Sequence, residues 1–143
     1  MDNKGLVSYA NISIHAPVMK VWDALVRPAA IKRYMFGAEV VSDWKEGSPI
    51  TWRGEYLGKK YEDKGVILKA EPGQTLQYTH FSPLGGTADL PENYHTVTIR
   101  LQESPAGTEL SLAQDNNSSA SAQEHASANW QGMLQALKKF IES

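Results

Sequence analysis

Residues 120–141 read ASAQEHASANWQGMLQALKKFI, and the spacing of their apolar side chains decides the fold. Trp130, Met133, Leu134, Leu137, Phe140 and Ile141 recur three and four apart, on one stripe of an α-helix. The segment holds one Gly and no Pro. Asn116, Asn117, Ser118 and Ser119 offer N-caps, and Lys138 and Lys139 suit the negative end of the helix dipole. Such a stripe must be buried, and the short alternating strands ahead of it supply the surface to bury it.

Leu6 to Ile14 alternates with Ala10, Ile12 and Ile14 on one face, as a half-buried strand does. Pro17 then suits a helix start, Val18, Val21, Trp22 and Leu25 follow at helical spacing, and Pro28 stops that helix. A second short helix runs from Pro28 to about Tyr34, with Ile31, Tyr34 and Met35 inward. From Ala38 onward strands alternate with turns. The inward sets are Ile50, Trp52, Gly54 and Tyr56; Val66, Leu68 and Ala70; Leu76, Tyr78 and His80; His95, Val97, Ile99 and Leu101; and Thr108, Leu110, Leu112 and Gln114. Residues 82–93 form a loop long enough to serve as a lid or to be a simple crossing.

The 143 residues suit a single domain, 1–143, able to bury a core without disulfides or metals. A net charge of -2, with 14 basic and 16 acidic residues interspersed, provides no field for nucleic acid. The absence of cysteine removes thiol chemistry and thiolate metal sites, and agrees with a reducing compartment. The opening MDNKGLVSYANISIH lacks a signal-peptide core, and no apolar run approaches a membrane span. A cytoplasmic location is expected.

The order strand, two helices, six strands, long helix resembles the START-like or SRPBCC superfamily, and within it homologues of the activator of the heat-shock chaperone ATPase. The resemblance rests on Ile12-Ser13-Ile14-His15-Ala16-Pro17 leading into Val21-Trp22-Asp23-Ala24-Leu25, and on Pro28-Ala29-Ala30-Ile31. It continues in Gly65-Val66, in Glu71-Pro72-Gly73 with Leu76 and Tyr78, and in Trp130-Gln131-Gly132-Met133-Leu134 with Leu137 to Ile141. It implies an α+β helix-grip fold, β-α-α-β6-α, in which a curved antiparallel sheet wraps the C-terminal helix. It also implies an apolar cavity between the two. These motifs mark the fold rather than a site.

Alternation and helical phase nominate Trp22, Tyr34, Phe36, Trp52, Tyr56, Tyr78, His80, His95, Trp130, Met133, Leu134 and Leu137 as ligand-binding residues around that cavity, with Leu25, Val66, Leu68, Val97 and Ile99 beside them. His80 and His95 fall in the inward register of adjacent strands, where a histidine exchanges hydrogen bonds or protons with a ligand. His15 and His125 lie outside this pair. Asp115, Ser118 and Ser119 read as helix capping. There is no nucleophile elbow, phosphate loop, dinucleotide fingerprint or third metal ligand, so no cofactor and no metal are expected. The resulting expectation is binding of a lipid-like or aromatic small molecule by a monomer or homodimer. The resemblance implies two alternatives: a cyclase, aromatase or hydratase using His80, His95 and Tyr78, and a chaperone-interacting module.

Overall fold

The computed structural model describes residues 5–143, with the side chain of Tyr56 outside that description. The chain runs β1 (Leu6–Ile14), α1 (Val18–Val26), α2 (Pro28–Tyr34), β2 (Glu39–Ser42), β3 (Pro49–Tyr56), β4 (Lys59–Glu71), β5 (Thr75–His80), β6 (His95–Ser104), β7 (Gly107–Asn117) and α3 (Ala120–Glu142). The seven strands form one antiparallel sheet in the order β1-β7-β6-β5-β4-β3-β2, so the first strand pairs with the last and both edges come from the N-terminal half. This is the expected α+β helix-grip architecture. No helix among the described residues is long and apolar enough to cross a membrane.

Local chemistry sets the helix boundaries. Pro17, extended at φ -60° and ψ 150°, precedes α1, and Arg27 ends α1 and begins α2 in an extended conformation because Pro28 follows it. In α3 the cap is Ser119, whose Oγ accepts from the Ala122 N–H at 3.1 Å. Asp115 was expected among the capping residues. It is buried instead, and its Oδ1 accepts from the Thr96 N–H at 2.6 Å, where it serves the sheet.

The buried stripe of α3 is Met133, Leu134, Leu137 and Ile141, packed against the inward sets of the strands and against Trp22, Leu25 and Ile31. The Tyr34 ring packs 6.3 Å from Phe140 and donates its hydroxyl to the Ala24 carbonyl at 2.9 Å, tying α2 to α1. α3 also runs parallel to the free edge of β1 and satisfies its backbone. Gln123 Nε2 donates to the Val7 carbonyl at 2.6 Å, Gln131 Nε2 to Asn11 at 3.0 Å and Lys138 Nζ to Ser13 at 2.6 Å. Glu142 accepts from the His15 N–H at 2.8 Å, and that bond, with Lys138 beside it, holds the Glu142 carboxyl below its ordinary range.

The register of β4 differs from the expected one. Ile67 is fully buried while Val66 is exposed and Leu68 only half-buried. A bulge lies between the pairs Ile67↔Tyr78 and Lys69↔Gln77, so one extra residue, Leu68, reverses the parity of everything before it. Tyr61, Asp63, Gly65 and Ile67 therefore share the inner face. Gly65 is required there: a Cβ would stand 1.7 Å from the Thr79 carbonyl oxygen of β5.

Leu134 is fully buried at the centre of the α3 stripe. Leu134→Ala should cost about 2–5 kcal/mol in urea unfolding, and Leu134→Asp should abolish cooperative melting followed by circular dichroism. A Leu134→Asp protein melting near the wild-type midpoint would contradict burial of the stripe.

Candidate functional site

The N-terminal half of α3 does not close onto the sheet. Its small residues Ser121, Ala122 and Ala126, with His125 and Asn129, face the inner ends of β3, β4, β5, β6 and β7 across a cavity of about 850 Å³. The floor is apolar and aromatic: Trp52, Tyr78, Trp130, Met133, Met35 and Ala38. Trp52 is the hub, its ring centroid 5.2 Å from Tyr78 and 5.1 Å, edge-on, from His80. His125, Asn129 and Ser121 are exposed, so the cavity opens to solvent along the helix.

The polar groups are concentrated on the sheet side. Trp52 of β3 pairs with Asp63 of β4, and the bulge-shifted parity brings Asp63 to His80 on β5. His80 Nε2 lies 2.9 Å from Asp63 Oδ2, and since a carboxylate only accepts, that nitrogen carries the proton. The second oxygen, Asp63 Oδ1, is buried with no hydrogen-bond partner. His80 pairs with His95 across β5 and β6, and their rings stack at 6.4 Å. His95 Nδ1 lies 2.9 Å from the Asp115 carbonyl oxygen, which only accepts, and 3.3 Å from Gln114 Nε2; the shorter contact puts the proton on Nδ1. Asp115 and Asn116 form the bulge that makes this carbonyl available, with Asn116 in the left-handed region at φ 58°. Beyond His95, Gln114 accepts from the Trp130 indole N–H at 2.5 Å and so joins the sheet to the helix.

Burial pushes the phenols of Tyr78 and Tyr34 far above their ordinary range; Tyr61 is raised by burial and then by the nearby Asp63 charge. Tyr78 and Tyr61 are therefore neutral hydroxyls on the cavity wall. Among the described residues no three His, Cys, Asp or Glu side chains cluster to hold a metal ion.

Of the nominated residues, Phe36, Trp52, Tyr78, His80, His95, Trp130 and Met133 line this cavity. Phe36 sits at the rim rather than inside. It adopts φ 56° after α2, and the residue is 85% exposed. Tyr34 lies deeper, on a void of about 20 Å³ behind the Trp52 and Tyr78 rings. Trp22, Leu134 and Leu137 are core residues away from the cavity, because the grip of the sheet is tightest where the α3 stripe is most apolar. Tyr56 belongs to β3, and its side chain lies outside the described residues. None of residues 82–93 reaches the cavity. They fold through two 3-10 turns, Pro83–Gly85 and Pro91–Asn93, and are anchored away from it by the Lys64–Asp89 ion pair, the Tyr94–Asp89 hydrogen bond and the stack of Phe81 on Tyr94.

Asp63, Tyr61, Gln114 and His125 are additions to the nominated site. Asp63 and Tyr61 share parity with Ile67, which would have found them had β4 been phased on Ile67 instead of Val66. His125 was set apart on the polar side of the helix; the helix stands off the sheet there, so its polar side borders the cavity.

These placements separate structural from site groups. Asp115→Ala should cost about 1–3 kcal/mol in urea unfolding by orphaning the Thr96 N–H, whereas His125→Ala, exposed on the α3 side of the cavity, should cost less than about 0.5 kcal/mol. Equal losses would mark His125 as part of the core.

The family model described as "Activator of Hsp90 ATPase homolog 1-like protein" matches residues 15–142. The solution structure of ChR145 from Cytophaga hutchinsonii is 56% identical, covering 99% of this chain and 97% of that one, with a TM-score of 0.85. The Aha1 dimer from Colwellia psychrerythraea is 18% identical over 96% of each chain with a TM-score of 0.74. DynU16, from the dynemicin biosynthetic locus, is 17% identical over 96% of this chain and 47% of its own, with a TM-score of 0.80. The latter two share the fold. No curated protein matches the chain.

Proposed function

The chain belongs to the activator of Hsp90 ATPase homolog 1-like family, and we propose that it binds a hydrophobic or amphipathic small molecule between its sheet and α3. The observation that carries this reading is the open cavity of about 850 Å³ with an aromatic floor and a polar wall on one side. Its volume falls within the range of about 300–1,000 Å³ usual for small-molecule sites, and a few convergent polar groups over apolar lining are what orient a ligand. An apolar body would lie on Trp52, Tyr78, Trp130 and Met133, with its polar end at His80, His95 and Asp63. Activation of the Hsp90 ATPase, named in the family's description, belongs to the relatives so described; the cavity is what this chain itself offers.

One geometric feature favours a second reading, acid–base catalysis in the same cavity. His80 is oriented by a carboxylate and stacked on a second imidazole, the arrangement that holds a proton-transferring histidine in one tautomer. Tyr78, kept neutral by burial, would supply a hydroxyl beside it.

The neutral fluorophore N-phenyl-1-naphthylamine should bind saturably at micromolar concentration and quench emission from Trp52 and Trp130. Ala126→Trp, which puts a large ring into the cavity from α3, should abolish that binding while shifting unfolding by no more than about 1 kcal/mol. Probe binding that survives Ala126→Trp would place the ligand elsewhere.

A further inference from the structure

The hydrogen-bonding wall of the cavity is one-sided. The Nε2 proton of His80 is donated to Asp63 Oδ2, and the Nδ1 proton of His95 to the Asp115 carbonyl. The indole proton of Trp130 goes to Gln114 Oε1, and the Gln114 amide nitrogen lies 3.3 Å from His95 Nδ1 and 3.4 Å from Asn117 Oδ1. Those donors are thus consumed within the wall; the neutral Tyr78 and Tyr61 hydroxyls, which donate or accept, and the exposed Ser121, His125 and Asn129 of α3 remain. The wall's acceptors are not consumed: His80 Nδ1 and His95 Nε2 keep their lone pairs with no partner among the described residues, and Asp63 Oδ1, buried without a partner, leaves the carboxylate bonded through one oxygen. Asp63 is also the one formally charged side chain among the lining residues, which include no Lys and no Arg. A mostly buried carboxylate bonded through one oxygen alone is costly, and a cation in the cavity beside it offsets that cost.

From this asymmetry we propose that the molecule bound in the cavity carries a hydrogen-bond-donating head group, a primary ammonium being its strongest form, and that the wall formed by Asp63, His80 and His95 rejects carboxylates. The inference rests on the cavity being a ligand site. This wall offers a carboxylate only tyrosine hydroxyls as donors and sets the Asp63 charge against it, whereas an ammonium donates up to three bonds and neutralises that charge. The Trp52, Tyr78 and His80 rings add π-faces that favour a cation at the same end. The opposing influence is the start of α3, where Ser119, Ser121 and Ala122 border the cavity. Its partial positive charge is capped by the Ser119 hydroxyl and exposed to water, so a formal charge on a mostly buried side chain outweighs it.

A matched series tests this: phenylbutylamine, phenylbutanol and phenylbutyrate, identical in their apolar body and different in their head. Each is titrated into the unaltered protein at about pH 8, where an ordinary imidazole is neutral, and followed by amide NMR shifts. The amine should bind tightest, the alcohol next and the carboxylate at least about tenfold more weakly than the amine, with shifts centred on Asp63, His80 and His95. Asp63→Asn, checked for an unchanged melt, should bring the amine and the carboxylate within about threefold of each other. Equal or tighter binding of phenylbutyrate to the unaltered protein overturns the donor-head proposal and leaves the cavity reading standing. No binding by any of the three overturns both.

Discussion

The rest of the structure depends on α3 lying along the free edge of β1. That edge is where the sheet would otherwise present unpaired N–H and C=O groups, and the helix occupies it with Gln123, Gln131 and Lys138, each bonded to a β1 carbonyl, and with Glu142, bonded to the His15 N–H just past the strand. Each bond is individually worth about 1 kcal/mol or less at this exposure. Together they set the direction and register of a 23-residue helix against a strand that also pairs with β7. Protection of the edge and placement of the helix are one solution.

With its line along β1 set, α3 meets the remaining strands unequally. Its C-terminal half carries Met133, Leu134, Leu137 and Ile141 into the inner face, closed further by α1 and α2. Its N-terminal half carries Ser121, Ala122 and Ala126, too small to fill the distance to β4 and β5, and the cavity is what remains. Stability and binding are thereby divided along a single helix. Polar groups sit on the cavity wall without weakening the core, and two bulges, at Leu68 in β4 and at Asp115 and Asn116 in β7, place Asp63 and the carbonyl that holds His95.

The architecture was legible because it follows from periodicity. The three-and-four spacing of Trp130 to Ile141 and the alternation of Leu6–Ile14, His95–Leu101 and Thr108–Leu112 leave few other ways to bury those side chains. The site was legible in part: His80 and His95 share an inward register, and strand pairing places them opposite one another. Asp63 was not legible, since a single inserted residue reverses the parity of a strand and alternation alone cannot show where the insertion falls. Trp22, Leu134 and Leu137 were assigned to the cavity because helical phase says which side of a helix faces inward and not how far the opposite wall stands away.

The central claim is that the sheet grips the C-terminal half of α3 and stands off from the other half. The chain contains no cysteine, so a single introduced thiol reports on one place at a time. Ala126 borders the cavity on α3, and Ala24 on α1 is buried in the core. The rate at which Ala126→Cys and Ala24→Cys react with a small maleimide under native conditions is the measurement. The account predicts that the thiol at 126 is modified readily and is slowed by a cavity ligand, while that at 24 reacts only on unfolding; equal inertness at both positions would contradict it.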